Sequence, residues 1–434
     1  MYMTIAKAFN ILIVSLSLIA CKSEPAPEVD EISTSPNILL IIADDMGLDA
    51  TPGFSEGSIK PYMPNLEALM NSGVSFMNFW SAPVCTPTRA TILTGKYGVN
   101  TGILGVGDEI TTSETSLQKY IDNNASTDYS HAVIGKWHLS NSMSNPTDMG
   151  VGYYAGILSG TVQSYTNWSL TENGNTSTNT EYSTTKLTDL AIDWLGVQSQ
   201  PWFLWMAYNA PHTPFHLPPS DLHHQGDLAS DSGSIDANPT PYYMAALEAM
   251  DTEIGRLLTS IPEDERSNTI VIFIGDNGTP NRVAQAPYGR QKAKGTLYQG
   301  GINVPMVVSG KGITRAGATE VALVNSTDLF TTIANLTGIE NTIINDSQSF
   351  VAMFSQANQE GRDVIYTESI EANSAGYAIR NNQFKLIVFT NGNEEFYDLE
   401  SDPYESENLL NGTLSTTEAS AKTELKNKAL EIRG

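Results

Sequence analysis

Four apolar runs, each stopping abruptly at charged or amide residues, constrain this chain more than any other feature. The first is Asn37-Ile38-Leu39-Leu40-Ile41-Ile42-Ala43, ending in Asp44-Asp45. The second, Ala132-Val133-Ile134, leads into Gly135-Lys136-Trp137-His138. The third, Phe203-Leu204-Trp205-Met206-Ala207, leads through Tyr208-Asn209-Ala210-Pro211 to His212. The fourth, Thr269-Ile270-Val271-Ile272-Phe273-Ile274, leads into Gly275-Asp276-Asn277-Gly278. Continuous apolar stretches of this kind fit strands buried on both faces, as in a parallel sheet. In open α/β sheets ligands bind beyond the carboxyl ends of the strands, so the four runs would gather acids, an amide, a lysine and histidines at one edge. Two adjacent carboxylates at a buried strand end repel unless a cation neutralises them. Taken alone, Asp44-Asp45 before Gly47 also fits an exposed turn.

Helical patterns lie between the runs. Tyr243, Met244, Leu247, Met250, Ile254, Leu257 and Leu258 recur at spacings of three and four, an amphipathic helix packed on the sheet. Thr185 to Leu195 reads the same way, and the acids Asp189, Glu248 and Asp251 read as solvated or capping groups. Ser159 to Tyr182, rich in Asn, Thr, Ser and Gly, reads as a surface excursion without chemistry. Leu217 to Thr240 is a second such loop, with His223 and His224 on an exposed polar face. Val304-Pro305-Met306-Val307-Val308 is a further buried strand. From about Asp346 the texture changes. Tyr377 to Arg380 and Phe384 to Phe389 flank Asn381-Asn382 as a hairpin, Glu395 to Leu399 follows, and a helix spans Thr416 to Ile432. The expected fold is α/β, a large mostly parallel central sheet flanked by helices, with a small antiparallel α+β C-terminal subdomain. The expected division is a signal segment 1–20, a tether 21–35, a catalytic domain 36–345 and a C-terminal subdomain 346–434.

Acidic residues outnumber basic ones 48 to 23, for a net charge of −25, which argues against a nucleic-acid or polyanion binder. An anionic substrate must therefore be met by a local cluster of cations. At the N-terminus Lys7 precedes the apolar run Phe9 to Ala20, which is too short to span a bilayer. Leu18-Ile19-Ala20-Cys21 resembles a bacterial lipobox, which implies a lipidated Cys21 and a membrane-anchored lipoprotein, periplasmic or at the cell surface. An ordinary cleaved secretory signal is the alternative. Lys22 to Ser35 is polar, acidic and Pro-containing, a flexible tether.

The second of the two cysteines, Cys85, opens Cys-Thr-Pro-Thr-Arg-Ala-Thr-Ile-Leu-Thr-Gly, residues 85 to 95. Pro87 suits a first helical turn and Gly95 a helix end, so the positive end of the helix would lie at Cys85. On residue type alone, a small buried thiol is the plainer reading. The pattern Cys-x-Pro-Thr-Arg-x-x-x-Leu-Thr-Gly, however, resembles the motif of type I sulfatases in the alkaline phosphatase superfamily. Asn37 to Gly47, Gly135 to His138, Ala210 to Pro214, Asp276 to Gly278, Lys294 to Tyr298 and Phe396 to Leu399 resemble that family's other landmarks, in the family's order. Gln299 and Gly275 depart from it, standing where glutamate and serine are frequent.

The resemblance implies that Cys85 is oxidised to formylglycine by a formylglycine-generating or radical maturation enzyme, the hydrated aldehyde acting as nucleophile. It implies that Asp44, Asp45, Asp276, Asn277 and the modified Cys85 hold Ca²⁺, with Mg²⁺ second. It implies that Arg89 and Lys136 favour the ionised hydrate, that His212 protonates the leaving alcohol and that Lys294 contacts sulfate. His138 would then take the proton from the remaining hydroxyl, expelling sulfate. With cysteines in the lipobox and in this motif, no disulfide is expected. The implied activity is sulfate monoester hydrolysis, with a sulfated glycan as the expected substrate. A phosphonate or phosphate monoester hydrolase and a catalytically silent glycan-binding lipoprotein are the alternatives.

Overall fold

A computed structural model describes residues Ser35 to Gly434 except Asn373. The expected signal segment, Cys21 and the tether up to Thr34 lie outside the described residues. Ser35 is already tied to the body, its hydroxyl 3.1 Å from Thr127 Oγ1 and its carbonyl accepting from Asn268 Nδ2.

All four apolar runs are strands of one ten-stranded sheet. Its middle holds, in spatial order, Thr269–Gly275, Asn37–Ala43, Trp202–Ala207, Ser130–Lys136 and Tyr153–Ile157, all mutually parallel. Met306–Gly310 adds antiparallel beside Thr269–Gly275, so the expected fifth strand belongs to the same sheet with reversed sense. Every residue of Asn37–Ala43 is buried, because side chains alternate between two covered faces. Ile38, Leu40 and Ile42 pack with Leu93, Phe330 and Ile333 on one face. Leu39, Ile41 and Ala43 pack with Leu187, Leu247 and Ile254 on the other. Burying each such side chain contributes about 1.5–3 kcal/mol, and reversing one strand would move its polar end away from the others.

The helices Ser183–Leu195 and Thr240–Ser260 cover the second face, as their periodicity predicts. Of their acids, Asp189 is half-exposed and paired with Arg256, and Asp251 is a cap, both as expected, whereas Glu248 is neither solvated nor a cap. Asp251 is buried and accepts from the backbone N–H groups of Asn65 and Leu66, capping the start of a different helix, Pro64–Ser72. Glu248 is also buried, accepting from Tyr62 N and His224 N. Of the histidine pair, His224 is exposed but His223 is buried. Ser159 to Tyr182 is no mere excursion: Trp168–Glu172 and Asn175–Asn179 extend the large sheet as an antiparallel hairpin.

The C-terminal part forms a four-stranded antiparallel sheet, Ile365–Ser369, Gly376–Arg380, Phe384–Phe389 and Glu394–Asp398. The Asn381-Asn382 turn joins its middle strands, and the helix Thr416–Arg433, begun by a Ser415/Glu418 capping box, packs on it. The expected boundary at 345/346 falls inside a short hairpin, Ile343–Ile344 with Ser347–Gln348, whose Ser347 Oγ accepts from Thr331 N.

Candidate active site

Because the central strands share one direction, their polar carboxyl ends meet at one edge. Asp44 N bonds to Ala210 O, Asp276 N to Ala43 O and Asp45 N to Asp276 Oδ1, so the turns after three strands knit together. Onto this edge the buried helix Cys85–Thr94 brings its first turn, with Pro87 inside that turn and Gly95 closing the helix at φ 65°. Thr88 Oγ1 accepts from Ala82 N and donates to Asp276 O, fastening the helix start to the strand end.

The result is a compact set of charges. Asp44 Oδ2 accepts from Lys136 Nζ at 2.7 Å and Asp276 Oδ2 from Arg89 Nη2 at 2.8 Å. Lys294 Nζ lies 2.5 and 2.6 Å from the two oxygens of Asp45, with His212 Nε2 at 3.7 Å. Asn277 Nδ2 donates to Asp45 Oδ1 at 2.7 Å. Cys85 Sγ is 3.1 Å from His138 Nδ1. Asp44, Asp45 and His212 offer ligand atoms within 4.8 Å of one another, as do Asp44, Cys85 and Asp276. Every residue expected to take part in catalysis or to hold the metal, Asp44, Asp45, Cys85, Arg89, Lys136, His138, His212, Asp276, Asn277 and Lys294, belongs to this one network.

Burial and charge set the protonation states. Burial pushes the Cys85 thiol up, with Lys136 and Lys294 pulling the other way, so it is a neutral thiol at working pH. Burial together with Lys136 and Arg89 holds His138 down at about 2, a neutral base. Burial raises Asp45, but Lys294, His212 and Lys136 outweigh it and keep the carboxyl below its usual range. Burial and the neighbouring Asp44 raise Asp276, with Arg89 opposing.

The donor set fits a hard divalent cation. Asp44 Oδ1 and Asn277 Oδ1 are buried without a hydrogen-bond partner among the described residues, a costly state for polar oxygens. Carboxylate and amide oxygens suit Ca²⁺ or Mg²⁺ better than zinc. Lys136, Arg89 and Lys294 already balance the charge of Asp44, Asp276 and Asp45, so it is the unpartnered oxygens, not the charge count, that leave room for a cation.

Sequence reasoning missed three contributors. Tyr243, assigned to the apolar face of its helix, donates to Asp45 O at 2.8 Å. Thr86 Oγ1 lies 3.2 Å from His138 Nε2; its place beside Cys85 was the available signal. Tyr165 binds the His212 turn from the segment taken to be without chemistry. The departures also have local reasons. Gln299 accepts from Trp80 Nε1, and a Cβ on Gly275 would lie 2.1 Å from Met46 O.

A parallel sheet presenting acids, lysines and histidines at one edge, around a buried cysteine at a helix start, is the arrangement that the resemblance to sulfatases of the alkaline phosphatase superfamily implies. The family described as Sulfatase matches residues 36–339, and the one described as N-sulphoglucosamine sulphohydrolase, C-terminal, matches 291–433. The chain belongs to the sulfatase family. Arylsulfatase J of Mus musculus is 28% identical over 398 residues, covering 83% of this chain, which spans 64% of the mouse protein. An ulvan-active sulfatase of Formosa agariphila is 26% identical over 428 residues, covering 92% of this chain and 82% of that protein. Among solved structures, Ps i-CgsB in complex with k-i-k-neocarrahexaose superposes with TM-score 0.76 at 24% identity, covering 92% of this chain and 93% of that one, a likeness of fold.

Proposed function

We propose that this protein hydrolyses sulfate monoesters of carbohydrates, using a nucleophile made by oxidation of Cys85 and a divalent cation, calcium before magnesium. One observation carries the reading: Cys85, with His138 at 3.1 Å, sits in an aspartate cluster already paired with Lys136, Arg89 and Lys294. A sulfate ester is an anion, and a net charge of −25 would repel it anywhere without such local cations. The neutral, buried thiol is a poor nucleophile and a poor ligand for a hard cation, which favours its oxidised form as the working group. In this family the oxidised cysteine supplies a hydrate oxygen as nucleophile. Bound at Asp44, Asp45, Asp276, Asn277 and the oxidised Cys85, the metal would polarise a sulfate oxygen and lower the pKa of a coordinated hydroxyl.

The chain's own residues divide by exposure. The Arg89 and Lys136 side chains are fully buried, hold Asp276 and Asp44, and act as fixed positive charges behind the nucleophile. Lys294 at 21% and His212 at 15% side-chain exposure can reach an incoming ester. Lys294 would take a sulfate oxygen. His212 Nδ1 is 2.8 Å from Thr213 O, so Nδ1–H donates there and Nε2 is left for the ester oxygen. A proton on Nε2 passes to that oxygen as the S–O bond breaks, leaving a neutral imidazole. His138, whose Nδ1 lies 3.1 Å from Cys85 Sγ, would take the proton of the remaining hydroxyl of the hydrate as the C–O bond to sulfate breaks and the aldehyde re-forms.

The carbohydrate reading draws on the ulvan-active relative and the carrahexaose-bound structure. We further place the protein on a bacterial membrane through lipidated Cys21, matured by a formylglycine-generating or radical enzyme. The deciding experiment compares matched aryl sulfate and aryl phosphonate esters, then a panel of sulfated glycans, using protein whose Cys85 peptide is checked by mass spectrometry. Sulfate release that vanishes in Cys85→Ala supports the proposal. Faster phosphonate cleavage, or sulfate release unchanged in Cys85→Ala, defeats it.

A further inference from the structure

The turn that carries His212 is held from below by a segment that carries none of the proposed chemistry. Tyr165 is 1% exposed, and its hydroxyl lies 2.8 Å from Asn209 O and 2.7 Å from His212 O. One buried hydroxyl, its single proton shared between two carbonyls, therefore sits at both ends of the turn that His212 N closes onto Asn209 O at 3.0 Å. Further ties run between the same two segments. Thr161 Oγ1 donates to Thr213 O at 2.8 Å, next to the carbonyl's neighbour His212. The Tyr165 ring stacks on His216 at 3.7 Å, and Tyr182 Oη lies 3.0 Å from His216 Nε2. The segment also touches the second histidine: a Cβ on Gly160 would lie 2.5 Å from His138 Nε2, so only glycine fits against that imidazole. The His212 imidazole is otherwise tied at Nδ1 to Thr213 O at 2.8 Å, with Asp45 3.7 Å from Nε2.

We infer that Tyr165 is a positioning residue for His212, and that the 159–182 segment sets how a proton reaches the leaving group. The inference rests on the sulfatase reading above. Tyr165 touches no reacting atom. Its one proton, shared between the two carbonyls, ties down the main chain from which the imidazole projects, and with it the reach of Nε2. A donor misplaced by about 1 Å can cost on the order of 100-fold in rate, but only where the step needs that proton. Esters of acidic phenols leave as anions unaided, whereas sugar alcohols require protonation.

The test measures kcat and KM for aryl and alkyl sulfates whose leaving groups span a wide pKa range, in wild type and Tyr165→Phe. We expect kcat to fall about 10- to 100-fold for the most basic leaving groups and less than about threefold for the most acidic. KM should hold, and the plot of log kcat against leaving-group pKa should steepen. His212→Ala should steepen it further, and Tyr165→Phe added to His212→Ala should steepen it no more. An equal loss across all leaving groups, or no loss, overturns the inference. If Tyr165→Phe does not fold, Thr161→Val decides by the same slope, and an unchanged slope overturns the inference. Wild type that releases no sulfate from any ester would instead overturn the sulfatase reading itself, so the two failures are distinguishable.

Discussion

Asp44 is the residue on which the site turns, since it belongs to both groups of close ligand atoms and keeps one oxygen unpaired inside the protein. Lys136 takes its other oxygen, which leaves Oδ1 for a cation. Calcium added to metal-stripped protein should therefore raise the unfolding temperature, by about 2.7 kcal/mol of stability at a hundredfold excess over Kd. Asp44→Asn should lose most of that gain while keeping its fold; thermal melts with and without calcium check it, and an equal gain in both proteins would remove Asp44 from the ligand set. Arg89 gives the complementary lesson. A motif arginine suggests direct contact with the reacting group, but here it bonds Asp276 and Lys136 O. Its charge reaches the nucleophile through its neighbours.

At the scale of the element, close approach decides. Gly135 sits at φ 114°, and a Cβ there would lie 1.7 Å from Ala207 O on the neighbouring strand. A Cβ on Gly156 would in turn lie 1.8 Å from Gly135 O. Gly135→Ala should cost about 3 kcal/mol or more and shift Lys136 off Asp44. Chemical denaturation measures the first effect and loss of activity in the folded fraction the second. The His212 turn makes a pH prediction. Burial lowers His216 to about 4, below an ordinary histidine near 6.5. A depressed base contributes stability above its unfolded pKa and loses it as pH falls toward the folded value. Between pH 7 and pH 5 this group should remove about 2 kcal/mol. His216→Phe, whatever its absolute stability, should show a stability–pH profile flatter by about that amount; urea melts at the two pH values would expose a mistaken assignment as identical slopes.

Across the whole molecule, the C-terminal sheet stabilises the site from behind. Lys385 donates to Glu405 and Leu297 O, all within a fully buried contact, and lies over the Trp80 ring. Glu405 Oε2 accepts from Gln299 N, and Lys292 donates to Glu405 O. These bonds clasp the 292–299 stretch in which Lys294 stands. Removing one partner of a buried pair leaves an uncompensated charge, so Lys385→Met should destabilise by about 3–5 kcal/mol. Equilibrium unfolding checks the magnitude, and a change under 1 kcal/mol would mean that Glu405 finds another partner. The proposed lipidation of Cys21 predicts that fatty-acid label enters the wild-type protein and is absent from Cys21→Ala; labelling of both, or of neither, would refute it.

Apolar runs with polar ends determined the parallel sheet, its direction and the residues at its edge, because buried strands need unbroken hydrophobicity and the chain direction then fixes where each run stops. The Cys85 motif likewise named the helix start, and Gly95 its end. Tertiary structure alone decided which cation meets which acid: Lys136 with Asp44, Arg89 with Asp276, Lys294 with Asp45. It also recruited Tyr243 and Tyr165, whose rings read as ordinary apolar or loop residues until their hydroxyls found carbonyls across the fold. Periodicity records which side of an element is buried. A hydrogen bond between residues 47 positions apart, as from Tyr165 to His212, leaves no periodic trace in the chain, and only packing creates it.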